Sequence, residues 1–193
     1  MHLRARSIFA GMLLAAVAGC SSLPIGAGPA TPVLDPLKDD LSKLLIAYDL
    51  PDTLEAVPGA STLTVGVTAP SGTRNVAAQL VPADFDDVAG ALPDPADGRF
   101  YVLFGFTTTD QTALGKLQGF ARAQPPGSAR LSVDLAPGLC FNESIDPASV
   151  RVTVLVATKG GGPLIPLIAN TPLATLIAQS PGASLAACSG HSG

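Results

Sequence analysis

The stretch STLTVGVT, residues 61–68, alternates without a break. Leu63, Val65 and Val67 fall on one side, and Thr64, Gly66 and Thr68 on the other. That is the period of a strand with one apolar face. The turn APSGTR follows, and NVAAQLV (75–81) repeats the pattern at Val76, Ala78 and Leu80. Two such runs around a Pro- and Gly-containing turn predict a hairpin. RFYVLFGF (99–106) is the most hydrophobic run and holds four aromatic residues, so it is expected at the centre of the sheet. ARLSVDLA (129–136) and SVRVTVLVA (149–157) add two strands, the second with Val150, Val152, Val154 and Val156 on one face.

Three segments change period. In TTDQTALGKLQGFARAQ (108–124), Leu114, Leu117, Phe120 and Ala121 share a helical face. Thr109 or Asp110 is the expected cap, and Pro125-Pro126-Gly127 stops the helix. Asp35-Pro36 reads as the start of another helix, with Leu37, Leu41, Leu44, Leu45 and Tyr48 at helical spacing and Pro51 ending it. A short third helix is expected over Pro172–Gln179, capped by Thr171. The expected fold class is mainly β or α+β: a β-sandwich of five or more strands with two or three flanking helices.

The N-terminus carries a different signal. His2, Arg4 and Arg6 precede an apolar or small run from Ile8 to Gly19. About a dozen residues are too few to cross a hydrocarbon core, which needs roughly 20. A basic start before a short apolar run is the layout of an export signal. Val17-Ala18-Gly19-Cys20 resembles a bacterial lipobox, in which cleavage precedes a cysteine whose thiol receives diacylglycerol. The resemblance implies a signal peptide over 1–19, a lipid anchor and flexible tether over 20–34, and one globular domain over 35–193. It implies lipidation at Cys20, with an acylated amine, and a location on a bacterial membrane facing the periplasm or exterior. Ser21 stands where an Asp would favour inner-membrane retention in a Gram-negative cell, so the outer membrane is expected there. Each lipid CH₂ buried contributes about 0.8 kcal/mol, and two or three chains anchor a protein stably.

Removing residues 1–19 lowers the eleven Lys and Arg to nine, against fifteen Asp and Glu, a formal charge of −6. An acidic chain without a basic block argues against nucleic acid as a partner. The expected partners are the membrane, through Cys20, and another envelope protein. With Cys20 lipidated, Cys140 and Cys188 remain of the three cysteines. In an exported chain they are expected to form a disulfide.

FNESIDPASV (141–150) is similar to a phrase that links two strands in bacterial immunoglobulin-like domains, with Asn142 where that family has Ser or Thr. The resemblance implies an immunoglobulin-like sandwich and carries no function of its own.

Candidate chemistry is sparse. After residue 19 one histidine is left, His191, which argues against a His-based triad or metal site. No G-x-S-x-G elbow occurs, and TKGGGP lacks phosphate-loop spacing. Asp84, Asp86, Asp87, Asp94 and Asp97 form an acidic run without the ligand order of a calcium loop. No metal, cofactor or enzymatic activity is expected; a carboxylate-based hydrolase on this run is the remote alternative. The uncharged stretch KGGGPLIPLIANTPLATLIAQSPGA (159–183) has only the charge of Lys159. Leu164, Ile165, Leu167, Ile168, Leu173, Leu176 and Ile177 read either as a segment closing the core or as the wall of an apolar ligand groove. The expected function is a non-catalytic binding or scaffold lipoprotein; the alternative is a carrier or sensor of an apolar ligand that uses 163–179.

Overall fold

The structure, a computed structural model, describes residues 39–84, 92–158 and 164–189. The signal peptide, Cys20 and the tether lie outside the described residues, as do Asp86, Asp87 and His191. The described chain is mainly β. Its strands are β1 (Leu44–Pro51), β2 (Leu54–Ala56), β3 (Thr62–Ala69), β4 (Gly72–Pro82), β5 (Arg99–Phe106), β6 (Arg130–Ala136), β7 (Gly138–Phe141), β8 (Arg151–Thr158), β9 (Ile165–Pro172) and β10 (Ser184–Ala187). Its helices are α1 (Thr108–Arg122) and α2 (Leu173–Gln179).

Seven strands form a curled antiparallel sheet in the order β6-β3-β4-β5-β1-β8-β9. The expected hairpin is present, with Val65 opposite Val76 and Ala69 opposite Gly72. RFYVLFGF, as β5, occupies the middle position. The curl originates in β4. Its first part pairs with β3, whereas Leu80, Val81 and Pro82 pair with Phe106, Gly105 and Phe104 of β5. One long strand thus serves two directions and folds the sheet over its own apolar face. Leu63, Val65 and Val67 from β3 meet Ile46, Tyr48 and Leu50 from β1 and Val152, Val154 and Val156 from β8 in one core.

A second sheet, β10-β7-β2, contributes Leu54 and Leu139 to the same core. It fits closely against the turn that precedes β3. A Cβ on Gly138 would stand 2.3 Å from Ala60 Cβ and 2.7 Å from the Ala60 carbonyl carbon, so only glycine fits there. Its N–H donates to the buried Ser61 hydroxyl at 2.9 Å, and its carbonyl accepts from Val57 N–H at 2.9 Å.

The helix α1 buries Leu114, Leu117 and Ala121, as its spacing predicts. Its cap is Thr107, not Thr109 or Asp110. Thr107 Oγ1 accepts from Asp110 N–H at 3.2 Å and donates to the Asp110 carboxylate at 2.8 Å. Asp110, the third helical residue, thus meets the cap through both its N–H and its carboxylate. Gln118, buried on the same helix, donates to the Asp39 carbonyl and holds the entry of the chain. The helix α2 starts at Leu173, and Thr171 does not cap it. Its first N–H groups are met by backbone carbonyls instead, Leu173 to Val150 and Ala174 to Pro147, both at 2.9 Å.

The helix expected from Asp35 to Pro51 is corrected over the described residues; Asp35 to Lys38 lie outside them. Among the described residues a 3₁₀ turn, Leu41–Lys43, precedes β1. Leu44, Leu45, Ile46, Ala47 and Tyr48 are all buried, because β1 lies inside the sheet and is covered on both faces. A strand covered on both faces loses its alternation, and its continuous apolar run imitates a helical stripe.

Candidate functional site

Four places carry features beyond plain packing. The first is the disulfide. Cys140 and Cys188 are joined, with Cα atoms 4.8 Å apart, and the bond ties the end of β10 to β7. Cys188 N–H also donates to the Phe141 carbonyl at 3.0 Å. Among the described residues, the group within metal-ligating reach is Glu55 with these two cysteines. Both sulfurs are consumed in the bond, so the group offers a single carboxylate.

The second is the interior beneath the uncharged stretch. Ile165, Ile168, Leu173 and Leu176 are buried, the last three in the main core. Leu167 and Ile177 are half-buried against it, while Leu164 packs on the opposite, outer face with Leu45, Ala47, Leu103 and Ala157. The structure therefore places five of the seven against the main core and Leu164 on the other face. Leu167 helps to line an apolar cavity of about 10 Å³, with Leu41, Leu44, Ile46, Leu63, Val65, Val133 and Val156. That is the room of about one water, and nothing polar lines it.

The third is Tyr48, fully buried on β1. Among the described residues its hydroxyl has no hydrogen-bond partner. Its ring stands 5.0 Å from that of Phe104, tilted by 58°. Burial drives the phenol far above its ordinary range, and the Ser61 side chain acts in the opposite direction. The unfolded phenol ionises near pH 10. The folded one does not, so stability is full below about pH 10 and falls as pH rises beyond it. Replacing Tyr48 by Phe removes an unpaired buried hydroxyl and keeps the ring. The expected outcome is a gain of about 1 kcal/mol in urea unfolding and a shallower alkaline decline. A loss of stability would show that the hydroxyl is partnered.

The fourth is Arg99, the one charge in the most apolar strand. Its Nε donates to Asp49 Oδ1 at 2.7 Å, and its Nη2 to the Asp49 carbonyl at 2.8 Å and the Arg151 carbonyl at 3.2 Å. One guanidinium thus joins β5, β1 and β8. Tyr101 lies on the same strand; its phenol is raised by burial and by the Asp49 charge, against Arg99. A cation leading a hydrophobic strand was the available signal in the sequence.

The acidic run stays open to solvent where it is described: Asp84, Asp94 and Asp97 are exposed. A mixed polar and apolar cleft of about 250 Å³ lies between Lys43, Leu45, Pro82 and Gln111, close to where the chain enters the domain. Compared with known protein families, curated proteins and solved structures, the chain matches none. Its chemistry has to be read from its own residues.

Proposed function

We propose that the chain is a lipid-anchored protein of the bacterial envelope, held by Cys20, whose β-domain binds or scaffolds another envelope component without catalysis. The observation that carries this reading is the distribution of the cysteines. Two of the three are joined in a disulfide, which suits an oxidising compartment. The third stands in the lipobox, at the position that takes the lipid. The Pro-rich, uncharged residues 21–34 suit a spacer between that lipid and the domain.

The carrier reading is weaker on volume. Sites for small apolar ligands run to about 300–1,000 Å³. The aliphatic cavity holds about 10 Å³. An acyl chain would have to part the sheet to enter. The immunoglobulin-like reading of the fold rests on Phe141–Val150. This phrase connects β7 to β8 through a turn in which the Asp146 carboxylate accepts from Ala148 N–H at 3.0 Å. Two sheets around one core support it, and it adds nothing to function.

The test is Cys20→Ala in the native host. The expected result is loss of lipid incorporation, accumulation of the uncleaved precursor and altered membrane fractionation. Unchanged processing and fractionation would sink the proposal. Capture from detergent-solubilised membranes, with lipids and proteins both identified by mass spectrometry, separates scaffold from carrier.

A further inference from the structure

The seven-stranded sheet ends in two edges of opposite character. The β9 edge is guarded. Pro166 and Pro172 lack N–H groups, Asn170 has a φ of 45°, and the pairing with β8 shifts register twice. These are the devices by which natural sheets prevent further strand addition. The β6 edge has none of them. It contains no proline, and its register with β3 is unbroken from Thr62–Ala136 to Thr68–Arg130.

The direction of its free groups follows from the ladder. Leu80 N–H donates to the Ser61 carbonyl at 3.0 Å, in register with the β3–β4 pairing. Odd-numbered residues of β3 therefore bond to β4, and even-numbered ones to β6. On β6 the groups of Arg130, Ser132, Asp134 and Ala136 are used by β3. Those of Leu131, Val133 and Leu135 point to an edge that no strand among the described residues covers.

The side chains supply the choice of partner. Arg130, Ser132 and Asp134 are exposed on the outer face. Arg130 and Asp134 are four residues apart on an extended strand, about 13 Å, too far to pair with each other. Their neighbours across the ladder are Thr68 and Thr64, both uncharged. Neither makes an ion pair or side-chain hydrogen bond among the described residues.

We propose that β6 is a homodimerisation edge, on which a second copy of this chain adds its own β6 in antiparallel register about a twofold axis through Ser132. In that register Arg130 of each copy faces Asp134 of the other. Both fall at non-hydrogen-bonded positions, where side chains approach most closely. Leu131 and Val133 of opposite copies exchange the edge hydrogen bonds, and their side chains extend the core across the junction. The alternation of free groups restricts the pairing to registers that set odd-numbered residues opposite each other, and the signs of the charges choose among these the one centred on Ser132. The proposal does not depend on the lipid anchor.

The test is cysteine cross-linking of the full chain in cells of the native host, whichever fraction carries it. The twofold axis sets residue 132 against its own copy at a Cα separation of about 4.5 Å, within disulfide range. Ser132→Cys is expected to give a covalent dimer under mild oxidation, and Thr112→Cys, equally exposed on α1, is not. Adding Asp134→Arg to Ser132→Cys sets like charges opposite each other twice and is expected to cut cross-linking about tenfold. Adding Arg130→Asp as well restores it. Absence of a dimer with Ser132→Cys overturns the proposal. So does a dimer indifferent to the charge reversal, or cross-linking to a different protein.

Discussion

Replacing Cys140 and Cys188 together by alanine is expected to lower the unfolding free energy by about 4 kcal/mol. The two are separated by 48 positions, and closing a loop of that length removes about 14 cal/mol/K of entropy from the unfolded chain. For a domain of this size the loss corresponds to a fall of about 8–16 °C in Tm. Reduction of the native protein should reproduce most of it. The urea m-value should rise in the variant, because the unfolded chain expands once the loop is opened. Local release is expected at the same bond. The strand β10 has four residues, three of them exposed, and one strand neighbour, β7. Hydrogen exchange should therefore lose protection over 184–188 before it is lost elsewhere. A variant within about 1 kcal/mol of the native protein would mean that β10 is held by its ladder and not by the sulfurs.

Phe104→Ala is expected to cost about 3–5 kcal/mol. Phe104 is 1% exposed and lies on the middle strand, opposite Ile46 on β1 and Pro82 on β4, with its ring against Tyr48. It stands where the sheet curls, so truncation leaves a void lined from both halves of the core, and a well-packed sheet cannot collapse into it. Against a total stability of about 5–15 kcal/mol for an ordinary domain, the loss is a large fraction. Phe104→Leu should cost much less, since it keeps most of the volume. Chemical denaturation monitored by circular dichroism measures both. Equal costs for the two variants would show that the ring is not the support of the curl.

Much of the sheet was legible because its strands have one solvated face. Val65 alternates with Thr64 and Gly66, and Val152 and Val154 with Arg151 and Thr153, and they pair or pack as that alternation requires. The first strand was misread for the opposite reason. Because Leu45 and Ala47 pack under Leu103, Ala157 and Leu164 while Leu44, Ile46 and Tyr48 face the main core, β1 carries no polar alternation, and Leu41, Leu44, Leu45 and Tyr48 matched a helix by spacing alone. The three short strands β2, β7 and β10 were missed because three or four residues are too few to show a period. They exist through long-range pairing, and GLCF becomes a strand because Leu54–Ala56 and Ser184–Ala187 flank it. The disulfide was readable from the cysteines left over once the lipobox resemblance set Cys20 aside. Arg99 as a three-strand clip was not, since its acceptors include carbonyls that the fold brings from Asp49 and Arg151.

The position of β1 bears on how the chain is made. It is the first strand in sequence, yet its neighbours are the fifth and the eighth. While residues 44–51 emerge, nothing exists for them to pair with. The β3–β4 hairpin can zip locally, but the two halves of the core meet only after residue 158 has followed, and the sulfur link needs residue 188. Such a topology has high contact order and assembles late and slowly. A protein built this way closes its core only late in its synthesis, once β8 has joined β1.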